Sequence, residues 1–133
     1  MQHYGESMAN QSAAFISYDV EPFLPSLFSH NTTPSAYPPS RSQGFLPLNL
    51  SFAWTDPLAD KTFRKAIHKS TALIKAYALA YGQDIANAAV YGNYAISDTP
   101  LRHIYGNNLP RLRRIKAKYD PQNVMGLAGG FKF

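Results

Sequence analysis

No cysteine occurs among the 133 residues, which removes disulfides, thiolate nucleophiles and thiolate metal ligands from this segment. No apolar run approaches the roughly 18–20 residues of a membrane-spanning helix, so no membrane partner is expected. The polar start, MQHYGESMANQSAAF, has no basic stretch leading into an apolar one, and Met1 is not expected to open a signal peptide. Acidic residues number only eight and do not pair convincingly. Asp19 and Glu21 share a strand face best read as solvated, and Asp98 and Asp120 read as turn and helix-end residues. A two-carboxylate hydrolase is therefore not expected. His3, His30, His68 and His103 fall at no metal-ligand spacing, so no metal site is expected either. There is no Gly-x-Ser-x-Gly, no phosphate loop and no Gly-x-Gly-x-x-Gly after a strand. Gly126-Leu127-Ala128-Gly129-Gly130 has the glycines but follows a helix and cannot open a dinucleotide-binding one.

What is present is a chain with 45% apolar residues, enough for one modest core. Sequons at Asn10, Asn31 and Asn49 hint at a secreted parent, with chance placement as the alternative. The net charge of +5 comes largely from one short stretch, Arg111 to Lys118. Such local charge is compatible with an anionic partner or with a solvated helix face.

Residues 12–21 place Ile16, Tyr18 and Val20 on one side and Phe15, Ser17 and Asp19 on the other, the period-two pattern of a half-buried strand ending at Pro22. Residues from about 22 to 46, rich in Pro, Ser, Thr and Asn, read as a long surface loop. Leu48, Leu50, Phe52 and Trp54 alternate as a second strand. Asp56 and Pro57 then supply an N-cap and a first helical residue for a helix running to about Tyr81, with Gly82 just past its end. Its stripe is Phe63, Ala66, Ile67, Ile74, Tyr77 and Tyr81, and its length of ~37 Å calls for a sheet to lie on. Residues 88–96 suggest a third strand, with Val90, Gly92 and Tyr94 facing opposite to Ala89, Tyr91, Asn93 and Ala95. A helical turn through Tyr105 and a final helix over about 108–119 follow, the latter with Leu109, Leu112, Ile115 and Tyr119 inward. The Gly-rich tail reads as extended. The expectation is an α+β fold: a partial antiparallel sheet with two main helices and strand edges left to be covered.

The most specific pattern is a succession near the end of the chain. Tyr91-Gly92-Asn93-Tyr94 precedes Tyr105-Gly106-Asn107-Asn108-Leu109, then Arg111-Leu112, Ile115-Lys116, Lys118-Tyr119-Asp120-Pro121 and Asn123-Val124-Met125. This succession resembles the C-terminal segment of berberine-bridge-enzyme-like FAD-linked oxidases in the vanillyl-alcohol-oxidase superfamily. Ser35-Ala36-Tyr37-Pro38-Pro39, the strand ending in Trp54 and the closing Gly129-Gly130-Phe131 resemble substrate-domain pieces of fungal members.

The resemblance implies a parent that holds FAD mainly through an N-terminal domain and covers the flavin ring with an antiparallel substrate-domain sheet. Residues 1–56 would be partial substrate-domain strands and loop, and 57–133 the long helix plus the berberine-bridge-like segment. It implies hydride transfer from a small-molecule alcohol, sugar or secondary metabolite to flavin, with oxygen as the reoxidant. Tyr91 matches an active-site position, as a hydrogen-bonding residue that assists the base, and Asn93 a flavin contact. Two apart on a strand, a phenol and a carboxamide emerge on one face and can meet a flat polar heterocycle; the structural alternative is that both pack in a sheet. The main FAD-binding motifs of such oxidases do not occur in these residues, so the chain alone is expected to bind FAD weakly or not at all and to be inactive. Two other readings stand beside this one. One is a non-catalytic interaction fragment. The other is a basic nucleic-acid-binding module using Arg111, Arg113, Arg114, Lys116 and Lys118 with Tyr105 and Tyr119; the helix alternates these basic residues with core positions and carries no binding motif, so no nucleic-acid partner is expected.

Overall fold

The computed structural model describes Met8 and residues 11–24, 26–30, 32–42 and 44–133. The sequons at Asn10 and Asn31, and most of the polar start, lie outside the described residues. The chain divides into two compact units. One comprises residues 1–22 and 46–87, the other residues 23–45 and 88–133.

In the first unit the two alternating segments form β1 (Ala13–Val20) and β2 (Leu48–Trp54), an antiparallel pair. Their register matches the two apolar sets: Ile16 lies opposite Phe52, Tyr18 opposite Leu50 and Val20 opposite Leu48. A one-residue slip would turn each set to the other face. A bulge between Ala13 and Phe15 brings Ala13 opposite Trp54, and the Tyr18 and Phe52 rings meet edge to face at 6.0 Å. Asn49, the third sequon, lies within β2, where its amide donates to Ser51 Oγ at 3.0 Å.

Asp56 caps the next element as its sequence position suggests: its Oδ1 accepts from the Leu58 N–H at 2.9 Å. A 3-10 turn with Pro57 as its first residue then leads into α1 (Asp60–Ala80). At the far end Gly82 takes φ +80°, the Gly82 N–H donates to Leu79 O and the Gln83 N–H to Ala78 O, both at 3.0 Å. This doubly bonded stop satisfies carbonyls that the helix itself leaves open.

α1 is seated mainly through its first half, with Ile67 and Ile74 half-buried. Phe63 is fully buried with its ring stacked on Trp54 at 4.7 Å, and Ala66 and Met8 join it. Trp54 also donates its indole N–H to Asp60 Oδ1 at 2.6 Å, fixing the ring that Phe63 lies on. Ser70, buried one turn further along, shares a 3.1 Å hydrogen bond with the Tyr18 hydroxyl, so its polarity is met. Beyond it Leu73, Tyr77 and Tyr81 are exposed, Tyr81 by 83%. The inward placement read for Tyr77 and Tyr81 is thus corrected. Two strands about 4.8 Å apart do not reach along a helix of 21 residues, ~32 Å long.

The second unit has little regular structure. The described residues between Phe23 and Phe45 form neither helix nor strand. α2 (Leu101–Tyr105) and α3 (Leu109–Tyr119) follow one another across a 3-10 turn. Ile104 is the buried centre, 1% exposed. Gly92 faces it closely: a Cβ at that position would stand 3.6 Å from Ile104 Cγ2.

Three expectations for this unit are corrected. Residues 88–96 are not a strand; Gly92–Tyr94 is a 3-10 turn closed by Tyr94 N–H to Tyr91 O at 3.0 Å. The Val90 N–H goes to His103 O at 2.8 Å instead of to a strand. Gly92 and Asn93 favour such turns, and local bonds satisfy backbone groups that no neighbouring strand edge meets. Ile115 and Tyr119 are 40% and 74% exposed rather than inward, Leu109 and Leu112 remaining half-buried. The tail is not extended throughout, since Val124–Leu127 is a 3-10 turn.

Asp120 causes that turn. Its carboxylate accepts the Val124 N–H at 2.7 Å and the Met125 N–H at 3.1 Å, and pairs with the Lys116 ammonium. The same ammonium donates to Asn123 Oδ1 at 2.8 Å, with Asn123 at φ +56°. A side chain at Gly126 would collide with that amide, 2.5 Å from Nδ2. The hydrogen bond from Lys116, supported by the two backbone donors, holds the Asp120 carboxyl below its ordinary value. A carboxylate depressed in the folded state stabilises above its unfolded pKa and loses that contribution as pH falls through the folded one. The Val124 and Met125 amides should therefore stay protected from hydrogen exchange at mildly acid pH. Protection should be lost only on acidification below the ordinary aspartate range; loss already near neutrality would contradict the carboxylate's part in the turn.

Candidate functional site

The second unit collects the aromatic residues of the loop and of the 88–94 segment into one cluster. Tyr91 lies at its centre, half-buried. Phe23 meets its ring edge to face at 5.8 Å, Tyr37 at 5.9 Å and Tyr94 at 5.1 Å. Phe28 extends the cluster, stacked on Phe45 at 5.2 Å and edge-on to Tyr37 at 6.1 Å. Edge-to-face rings place positive edges against negative faces, which fixes orientation as well as area.

Although the strand is absent, Tyr91 and Asn93 are together. The Asn93 amide nitrogen donates to the Tyr91 hydroxyl oxygen at 2.8 Å. Tyr91 opens the Gly92–Tyr94 turn in extended conformation, and the turn brings the carboxamide back over the phenol. Asn93 is exposed, so the pair stands at the surface of its unit. Neither residue lines the cleft of about 760 Å³ bounded by Arg113, Lys116, Asp120, Asn123, Lys132 and Phe133, nor the smaller cavity of about 150 Å³ beside it.

Tyr37 is the member that sequence reading left without a role. Burial lifts its phenol above the ordinary value, and the Tyr91 phenol beside it adds to the rise. Its hydroxyl donates to Ala89 O over a long 3.4 Å. The one hint in the sequence is a lone tyrosine set before two prolines within a polar loop.

The basic face of α3 shows a different arrangement. Lys116 is spent on Asp120 and Asn123, and Lys118 lies over its neighbour's ring, Tyr119, at 5.2 Å.

The family model described as "Berberine and berberine like" matches residues 90–128, the stretch that holds Tyr91, Asn93 and the Asp120 turn. This chain thus carries a berberine-like segment. Its curated relatives are fungal proteins named as FAD-linked oxidoreductases. FAD-linked oxidoreductase fogF of Aspergillus ruber is 39% identical over 66 residues, covering 49% of this chain. FAD-linked oxidoreductase OXR1 of Pyricularia oryzae is 52% identical over 44 residues, 32% of the chain. FAD-linked oxidoreductase pgmH of Aspergillus terreus is 35% identical over 77 residues, 53% of the chain. These matches span 13%, 9% and 16% of the three relatives' own lengths. No solved structure matches the chain. No helix among the described residues is long and apolar enough to cross a membrane.

Proposed function

We propose that this chain is the substrate-side end of an FAD-dependent oxidoreductase, oxidising an alcohol, sugar or secondary metabolite by hydride transfer to flavin. The observation that carries this reading is the 2.8 Å bond between Asn93 and Tyr91 inside the berberine-like segment. A carboxamide and a phenol without a formal charge form a donor and acceptor set that fits a flat, neutral, polar heterocycle. FAD, when bound, supplies the redox chemistry, taking up hydride and returning the electrons to oxygen.

The residues of this chain would do the remaining work. Asn93 would hold the flavin edge through its carboxamide oxygen, its nitrogen being engaged by Tyr91. Tyr91, fixed on three sides by rings, would hydrogen-bond the substrate hydroxyl and assist a base, supplied by the remaining length of such a protein, that takes its proton. Residues 1–56 would contribute strands and loop of a substrate domain, and residues 57–133 the long helix and berberine-like segment. The walls enclosing substrate would come from the remaining length of such a protein.

Two measurements test this. The purified chain should carry no stoichiometric flavin absorbance and show no oxidase activity; bound flavin at unit stoichiometry would overturn the division of labour. In a chimera where the stretch of this chain that matches the Aspergillus ruber relative, taken to include residues 90–128, replaces the corresponding stretch of that relative, Asn93→Ala should weaken flavin retention. The lost hydrogen bond corresponds to about 0.5–1.5 kcal/mol, roughly two- to tenfold in affinity. Unchanged flavin affinity would remove Asn93 from the site.

A further inference from the structure

We propose that Tyr37 is a positioning residue for Tyr91, so that a loop outside the berberine-like segment sets the geometry of that segment's functional pair. The proposal rests on the preceding reading for its functional meaning, but its physical content is tested separately from flavin.

The loop is tied to the segment at several points. Asn108 donates from one amide nitrogen to Ser35 O at 2.9 Å and Ala36 O at 3.1 Å, clamping the two residues just before Tyr37. Ser35 Oγ donates to Tyr37 O at 2.6 Å, which shapes the turn locally. Arg41 closes the loop on itself, donating to Phe28 O at 2.8 Å and Thr33 O at 3.2 Å. Pro38 lies against Gly106, where an added Cβ would be 3.5 Å from Pro38 Cγ and where φ is +51°. Gly106 therefore both turns the chain between α2 and α3 and lets the proline come close.

These ties fix the backbone on either side of Tyr37, and its side chain then acts in two directions. The hydroxyl reaches Ala89 O, two residues before Tyr91, and the ring packs edge-on against Tyr91 itself. Phe23 and Tyr94 supply the other ring contacts. Tyr94 is local, three residues away, and accompanies the turn wherever it goes. Phe23 and Tyr37 are distant in sequence and impose an external frame. Of those two, only Tyr37 holds backbone and ring together. The direction of the Tyr91 phenol, and with it the Asn93 bond, then depends on Tyr37.

The test uses the full chain with isotope-labelled tyrosine, asparagine and isoleucine, read by NMR. In Tyr37→Leu, which keeps bulk but removes ring and hydroxyl, the contact between the Asn93 side-chain amide and the Tyr91 ring should disappear. In Tyr37→Phe, which keeps the ring edge and loses only the long bond to Ala89 O, it should weaken without disappearing. The buried Ile104 methyls report whether the unit stays folded and should be unmoved in both. An Asn93–Tyr91 contact that survives in Tyr37→Leu would overturn the proposal. So would loss of the Ile104 signature in Tyr37→Leu, because Tyr37 would then be a general support of the unit. If the contact responds as expected while Asn93→Ala leaves flavin affinity unchanged in the chimera, the positioning role stands and the flavin reading falls.

Discussion

Tyr91→Phe is expected to slow flavin reduction by about 10²-fold in the flavin-loaded chimera, the lower end of what one positioned proton-transfer group contributes. The substitution is informative because so little else changes. The contacts with Phe23, Tyr37 and Tyr94 are made by the ring and remain available to phenylalanine. The single bond removed is that from the Asn93 amide, which is exposed and finds water instead. Folding should therefore be unaltered, flavin retention should change less than in Asn93→Ala, and the main loss should fall on the rate of reduction by saturating substrate in stopped flow. A variant that reduces its flavin as fast as the unsubstituted chimera would show that Tyr91 only packs.

The largest stability effect is expected at Phe63. Phe63→Ala should cost about 3–5 kcal/mol, the usual range for removing a fully buried aromatic ring. Here the ring is the centre of a small core, stacked on Trp54 and flanked by Met8, Ala66, Ile16 and Phe52. A two-stranded sheet has little stability by itself and relies on the helix that covers it. Against total stabilities of about 5–15 kcal/mol typical of domains, such a loss would move the urea midpoint of the first unit far down. Trp54 is the only tryptophan, so its fluorescence during urea titration reports on this unit. Tyr81→Ser, at a position 83% exposed, should leave the midpoint unchanged. Equal effects from the two substitutions would mean that the core is not where the stacked rings place it.

The first unit was largely legible because its determinants are local or periodic. Alternation in residues 13–20 and 48–54 marks both strands and which residues share a face, Asp56-Pro57 marks the 3-10 turn that leads into α1, and Gly82 marks its end. What alternation could not convey was the width of the sheet, so Tyr77 and Tyr81 were read as buried. In residues 88–96 the same period-two signal misled, because a strand also needs an edge to pair with, and Gly92-Asn93 closes a turn more readily than it waits for one. The fine structure of the Asp120 turn was hidden for a different reason. The sequence marks Asp120-Pro121 as a stop, but one carboxylate drawing in two backbone donors and a lysine is a matter of distances. That Tyr91 and Asn93 lie side by side follows from their spacing, and their 2.8 Å bond joins them. Tyr37 could not be given a role, since its link to Ala89 joins residues 52 apart across a loop without periodicity.

The two halves of α1 have a practical consequence for mutational scanning. Tolerance measured by the folding of this chain would rise after Ser70, save at half-buried Ile74 and Ala78, along a single uninterrupted helix. Permissiveness at Leu73, Tyr77 and Tyr81 in such a screen would report how far two strands extend beneath the helix.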